Sequence, residues 1–286
     1  MDFPERLIYN KFTKNYHRDF HEVAFIMKRI ALLLVSILLF SCLSPLAYAE
    51  RLDDKVLLSY YDDCVLFGDS RMEALKRYCS AVRQTDESFL RKTTIICTSS
   101  IGLYAASRNY LSGDFHYYFH GNDRTIYEIA AELTPKKAFV MLGLNDEIAT
   151  KIDKGLSWAE KVITTMKEHS PDTVVYFFSE TPVTPKFEKK IDFPGYQEKL
   201  DEYNARLKEL CESTGGGYID IAEALKDENN YLLEEYSSDK ICHISDEGLV
   251  IWIERMKDYA QEQYDAGLWD PFDDAGESLP EGGNEP

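Results

Sequence analysis

Short apolar runs alternate with longer amphipathic stretches along most of this 286-residue chain. Residues 65–67, closing the run Cys64-Val65-Leu66-Phe67, read as a strand, and 71–83 as a helix. Residues 93–98 are β-branched and strand-like. Residues 124–133 have helical spacing, with Asn122 or Asp123 as the expected N-cap and Pro135 beyond the end. Strands at 138–142 and 173–178 bracket a helix at 157–169 that stops before Pro171. Leu200, Tyr203, Leu207 and Leu210 form the apolar stripe of a helix over 196–213, ended by Gly215-Gly216-Gly217. A short strand at 218–221 and a helix from Ser245 to about Gln263 complete the pattern.

Strands separated by helices need crossover connections, which are right-handed and give a mostly parallel sheet. The strand segments are almost continuously apolar, as expected when helices cover both faces. The expected architecture is therefore α/β, with a five-stranded sheet between two helical layers.

The two ends break the pattern. Met27-Lys28-Arg29, the apolar stretch 30–40 and the small-residue site Ala47-Tyr48-Ala49 have the order of a secretory signal. Residues 1–49 are expected to be a signal peptide behind an over-extended start, with Met27 the true start. A spanning anchor and a lipid anchor at Cys42 are the alternatives. The expected domain covers 50–264. Residues 265–286 carry 7 acidic and no basic side chains, and read as a disordered acidic tail in which Trp269 and Phe272 are the groups able to dock.

Residues 1–49 hold 6 of the 32 basic and 4 of the 50 acidic side chains, so the remainder has a net charge of −20. Such a surface repels nucleic acid and anionic lipid. It leaves neutral or cationic substrates for a protein expected to be secreted or on the cell surface. Cys64, Cys79, Cys97, Cys211 and Cys242 contain no Cys-x-x-Cys pair, which argues against a zinc knuckle or dithiol site. Cys64, Cys97 and Cys211 sit in apolar patterns as small core residues, and Cys79 is the candidate for a disulfide. His116 and His120 are four apart, but Gly121 follows at once and no glutamate completes a zinc-protease pattern, so a surface loop is expected.

In an open parallel sheet, chemistry gathers beyond the carboxyl ends of the strands. Gly68-Asp69-Ser70 follows the first strand, Gly102 the second and Gly143-Leu144-Asn145-Asp146 the third. Asp239 and His243 precede the last helix. Acyl transfer needs these residue types: Ser70 as nucleophile, His243 as base, and Asp239 to orient the imidazole. The N–H groups of Ser70 and Gly102 and the amide of Asn145 would form the oxyanion hole. Asp69, Gly143 and Asp146 are expected to support the rim. Tyr104, Tyr110, Tyr117 and Tyr118 follow the second strand, where ordinary packing or stacking on a sugar would use them.

These motifs resemble the four blocks of the SGNH (GDSL-like) hydrolases, over about residues 60–264. The resemblance implies a flavodoxin-like three-layer fold and a serine esterase that needs neither metal nor organic cofactor. Its substrate would be an acylated carbohydrate or another small ester. One departure stands out. The family pattern is Asp-x-x-His, whereas Asp239 and His243 are separated by three residues. Either the link bulges and keeps the pair, or Asp239 is displaced. An O-acyltransferase with the same nucleophile, or a carbohydrate-binding module on the same fold, are the other readings.

Overall fold

The apolar runs become five parallel strands, β1 (Cys64–Gly68), β2 (Thr94–Cys97), β5 (Lys137–Met141), β6 (Val174–Phe178) and β7 (Gly217–Ile219). The computed structural model describes residues 51–111 and 116–272. Residues 1–50, where the signal segment is expected, residues 112–115 and residues 273–286 lie outside the described residues. Strand order is β2-β1-β5-β6-β7. Counting only the strands of this sheet, that is 2-1-3-4-5, the flavodoxin-like order, whose switch point lies between β1 and β5.

Side-chain alternation divides the core into two layers. Val65 and Phe67 of β1 face one side, with Val140, Phe177 and the helices α4 (Ile126–Leu133), α5 (Ile152–His169) and α7 (Tyr196–Thr214). Cys64 and Leu66 face the other, with Phe139, Met141 and the helices α1 (Asp54–Ser59), α2 (Ser70–Val82) and α8 (Asp246–Asp265). Trp252 of α8 is fully buried and meets Phe178 edge-on, with ring centroids 5.4 Å apart.

Several boundaries differ from the sequence reading. Residues 122–124 are not the start of a helix. They form β4 (Asn122–Arg124), which pairs with β3 (Tyr117–Phe119) in a separate hairpin. Thr125 is the true N-cap of α4, exchanging hydrogen bonds with Glu128 in a capping box. This removes Asn122 and Asp123 as caps, because their backbone is committed to the hairpin. Helix α5 begins at Ile152, ahead of the expected residue 157, with Gly155 in its first turns where Ile148 and Tyr203 press closely. Helices α1, α3 (Leu103–Ala106) and α6 (Pro185–Ile191) are too short to show a period.

His116 and His120 lie beside the hairpin, paired with Asp123 and Glu132 at 2.8 Å each. Cys64, Cys79 and Cys211 are buried thiols, and the five cysteines of the described residues are all free. Cys79 therefore serves as a core side chain. Asp265 closes α8, and Trp269 beyond it meets Tyr60 edge-on at 5.2 Å while Phe272 is exposed. No helix of the described residues is long and apolar enough to cross a membrane.

Candidate active site

The strand register sets the rim. Gly68, the last residue of β1, pairs with Cys97 at the end of β2 and Met141 at the end of β5. The three following loops therefore leave the sheet at one level, beside the switch point. Asp69 is the N-cap of α2, and its carboxylate accepts from the Arg71 N–H at 2.9 Å. Ser70 thus occupies the first helical position, at the positive end of the helix dipole, where developing negative charge is favoured.

His243 arrives from the long connection between β7 and α8. Its Nε2 is 3.1 Å from Ser70 Oγ and its Nδ1 is 2.6 Å from Asp239 Oδ2. The only tautomer that satisfies both contacts donates from Nδ1 to Asp239 and leaves Nε2 to accept from Ser70. The extra residue does not displace Asp239. Lys240 takes a left-handed conformation with φ of 59°, which shortens the link. Asp239 Oδ1 accepts from the N–H groups of Ile241 (2.8 Å), Cys242 (3.0 Å) and His243 (3.2 Å). Thr184 Oγ1 donates to the Lys240 carbonyl at 2.8 Å and holds the turn from α6.

These contacts also set the charge states. Partial burial works against ionised Asp239, but His243 and the three N–H groups outweigh it and hold the acid well below the usual carboxylate range. The Cys242 sulfur, 4.0 Å from Nδ1, and the Asp239 carboxylate push His243 up to about 9 against partial burial.

The three loops are cross-linked. Asn145 Nδ2 donates to Asp69 Oδ2 at 3.1 Å and to the Ile101 carbonyl at 3.0 Å, joining the β1, β2 and β5 loops. Both of its amide hydrogens face protein acceptors, so an oxyanion would share one of them. The N–H groups of Ser70 and Gly102 have no hydrogen-bond partner among the described residues. The Asp146 carboxylate accepts from the Leu103 N–H, and burial pushes its pKa up, toward the neutral form. A Cβ on Gly102 would stand 2.5 Å from that carboxylate, so any side chain there must displace Asp146.

Two residues absent from the sequence reading sit underneath. Arg71 and Glu180 are each 1% exposed. The guanidinium donates to Asp69 through Nε (3.1 Å) and Nη2 (2.7 Å), to Thr181 Oγ1 (3.0 Å) and to Glu180 Oε2 (2.8 Å). Glu180 also accepts from the Leu144 N–H at 3.1 Å. An arginine directly after the serine was the visible signal for Arg71. Glu180 lies in Phe178-Ser179-Glu180-Thr181, beyond the end of β6, and nothing local marks it.

Among the described residues, Asp239, Cys242 and His243 are the one group whose ligand atoms, all within 4.8 Å, could hold a metal ion. Asp239 Oδ2 and His243 Nδ1 already satisfy each other, so a metal there would break their bond. The arrangement of Ser70, His243 and Asp239 is that of a hydroxyl made nucleophilic by a base oriented by a carboxylate.

A model of the GDSL-like Lipase/Acylhydrolase family matches residues 67–249, nearly two thirds of the chain. The chain belongs to that family and is an ester hydrolase. The crystal structure of a GDSL-like lipase from Bacteroides thetaiotaomicron superimposes with a TM-score of 0.52 at 16% identity, covering 76% of this chain and 93% of the other. That of an acylhydrolase-type protein from Bacteroides fragilis gives 0.52 at 15% identity, covering 70% and 86%. These likenesses agree with the three-layer fold. A comparison with curated proteins finds no match.

Proposed function

We propose that the chain is a secreted serine esterase that removes a short acyl group, such as acetyl, from a carbohydrate, with Ser70, His243 and Asp239 as its catalytic residues. The observation that carries the reading is the unbroken line from Ser70 Oγ through His243 to Asp239, with contacts of 3.1 and 2.6 Å. Ser70 Oγ attacks the ester carbonyl as its proton passes to His243 Nε2. The N–H groups of Ser70 and Gly102, with a shared hydrogen from Asn145, receive the oxyanion. His243 returns the proton to the departing alcohol, and water then attacks the acyl-enzyme by the same route in reverse.

The carbohydrate assignment draws on the surface beside Gly102. Tyr104, about half exposed, packs on Trp158 at 5.1 Å, and Arg108 lies over the rings of Tyr104 (4.9 Å) and exposed Tyr110 (5.5 Å). Flat amphipathic faces of this kind stack on the apolar faces of sugars. The net charge of −20 outside residues 1–49 favours a neutral or cationic saccharide over an anionic one. Export rests on the leader pattern in residues 27–49.

The test is hydrolysis of p-nitrophenyl acetate and of an acetylated oligosaccharide by residues 50–286, beside Ser70→Ala. Turnover abolished by Ser70→Ala supports the reading. Turnover that survives the substitution, or release of acyl groups only when an acceptor sugar is supplied, refutes it.

A further inference from the structure

The ion pair beneath the rim closes a ring. Asn145 donates through its side chain to Asp69 at 3.1 Å, and Asp69 is gripped on both oxygens by Arg71. Arg71 reaches Glu180 at 2.8 Å, Glu180 accepts from the Leu144 N–H at 3.1 Å, and Leu144 is peptide-bonded to Asn145. Asn145 is thus held at its side chain and at its backbone by two ends of one buried unit. The foundation of the ring is also fixed. Asn204 of α7 accepts from the Glu180 N–H and donates to the Glu180 carbonyl, both at 2.9 Å.

Stability alone is a poor account of such a unit. Burying two carboxylates and a guanidinium carries a desolvation penalty of several kcal/mol per ion, which their attraction at best offsets. Well-packed apolar side chains would stabilise the same volume at lower cost. What the ions supply is direction, since a planar guanidinium bonded at Nε, Nη1 and Nη2 fixes its partners in angle as well as distance.

We infer that Arg71 and Glu180 are positioning residues that aim the Asn145 amide and the Asp69–Ser70 turn at the oxyanion. The inference rests on the esterase reading for its kinetic consequence, and on the ring geometry alone for its structural one. Asn145 is solvent-exposed, so hydrogen bonds rather than packing hold its amide: one to Asp69 within the ring and one to the Ile101 carbonyl at 3.0 Å outside it. Release of the ring lets the amide turn away, which weakens the tetrahedral state more than the bound ester.

Arg71→Lys and Glu180→Gln test this. Lysine keeps the charge and loses the fork. Glutamine keeps the shape and an acceptor for Leu144 but removes the negative charge that anchors the guanidinium. The expected result is a fall in kcat of about 10- to 100-fold, short of losing an oxyanion donor outright, with KM for p-nitrophenyl acetate little changed. Affinity for a boronic acid, which adds to Ser70 as a tetrahedral anion, should fall in step. The pH midpoint should stay where it is, because the His243–Asp239 pair is untouched. Wild-type kcat and boronate affinity in the folded variants would overturn the inference. So would a loss of activity that only tracks a smaller folded fraction. Should Arg71→Lys not fold, Glu180→Gln carries the test. A readout free of turnover separates this from the esterase reading: the Asn145 side-chain amide resonance, assigned by its absence in Asn145→Asp. It should be sharp in the wild type and broadened, with faster hydrogen exchange, in both variants. An unchanged resonance sinks the inference even if the esterase reading stands. A broadened one sustains the inference even if no Ser70-dependent turnover is found.

Discussion

Replacing Asp239 with asparagine should cost far more activity at high pH than at neutral pH. Asp239 Oδ1 receives three backbone N–H groups, so the amide oxygen of asparagine must take that position. The amide NH2 then faces His243 Nδ1 and donates to it. The ring proton moves to Nε2, aimed at Ser70 Oγ, and the base can no longer accept. Reversing the tautomer in this way costs about 10⁴ in turnover in a triad enzyme. A second effect runs the other way. His243 stands at about 9 in the wild type against an ordinary 6.5. At pH 7 roughly 1% of it is therefore free to act as a base, and near pH 10 about nine tenths is. Loss of the carboxylate lowers that midpoint. If the whole rise vanished, about three quarters of the variant's histidine would be neutral at pH 7. In that limit the ratio of wild-type to variant kcat/KM would shrink from about 10⁴ at pH 10 to ~10² at pH 7, and the part of the rise owed to Cys242 makes the fall shallower without abolishing it. Initial rates of p-nitrophenyl acetate hydrolysis over pH 6–10, corrected for spontaneous hydrolysis, give the ratio directly. A ratio below about threefold throughout, or one that does not change with pH, would refute the argument that Asp239 both orients and charges His243.

Three further outcomes are expected. The wild-type kcat/KM should climb with pH to a plateau, half-maximal near 9, and Cys242→Ala should move that midpoint down, because the sulfur beside Nδ1 contributes to holding the proton; a midpoint near 6.5 would count against it. Stability should run opposite to activity: a folded-state histidine raised from 6.5 to about 9 contributes fully below pH 6.5 and loses that contribution as pH rises through 9, so the melting temperature should fall over this interval, and by less in His243→Gln. Gly102→Ala should cost roughly 1–3 kcal/mol in urea unfolding and reduce kcat, since its Cβ would meet the Asp146 carboxylate at 2.5 Å and the loop must shift; full activity would show that the loop is not fixed there.

Where the sequence was legible, a local pattern carried the information. The runs ending in Phe67, Cys97, Leu142 and Phe178 became strands because continuous apolar residues have no other place than a sheet covered on both faces. The rim positions of Ser70, Gly102 and Asn145 then followed from the rule that loops at strand carboxyl ends converge. The N-terminus of α4 was misplaced because Asn122 and Asp123 have the chemistry of caps, while the hairpin that claims them depends on pairing with Tyr117–Phe119. Glu180 was invisible for a related reason. It gains meaning only opposite Arg71, a residue far away in the chain.

The spacing of Asp239 and His243 lies between these cases. Its extra residue was visible, but whether the pair survives depends on backbone conformation that composition does not report. The turn answers by placing Lys240 at φ 59°, at a cost of about 1–2 kcal/mol for a side chain with a Cβ. The three N–H groups on Asp239 Oδ1 and the Thr184 hydroxyl on the Lys240 carbonyl offset that cost. The same N–H groups hold Asp239 ionised and leave its second oxygen for His243. One insertion is thus absorbed by a turn whose hydrogen bonds also set the charge of the acid, so the longer link alters the route between the two residues and leaves their contact intact.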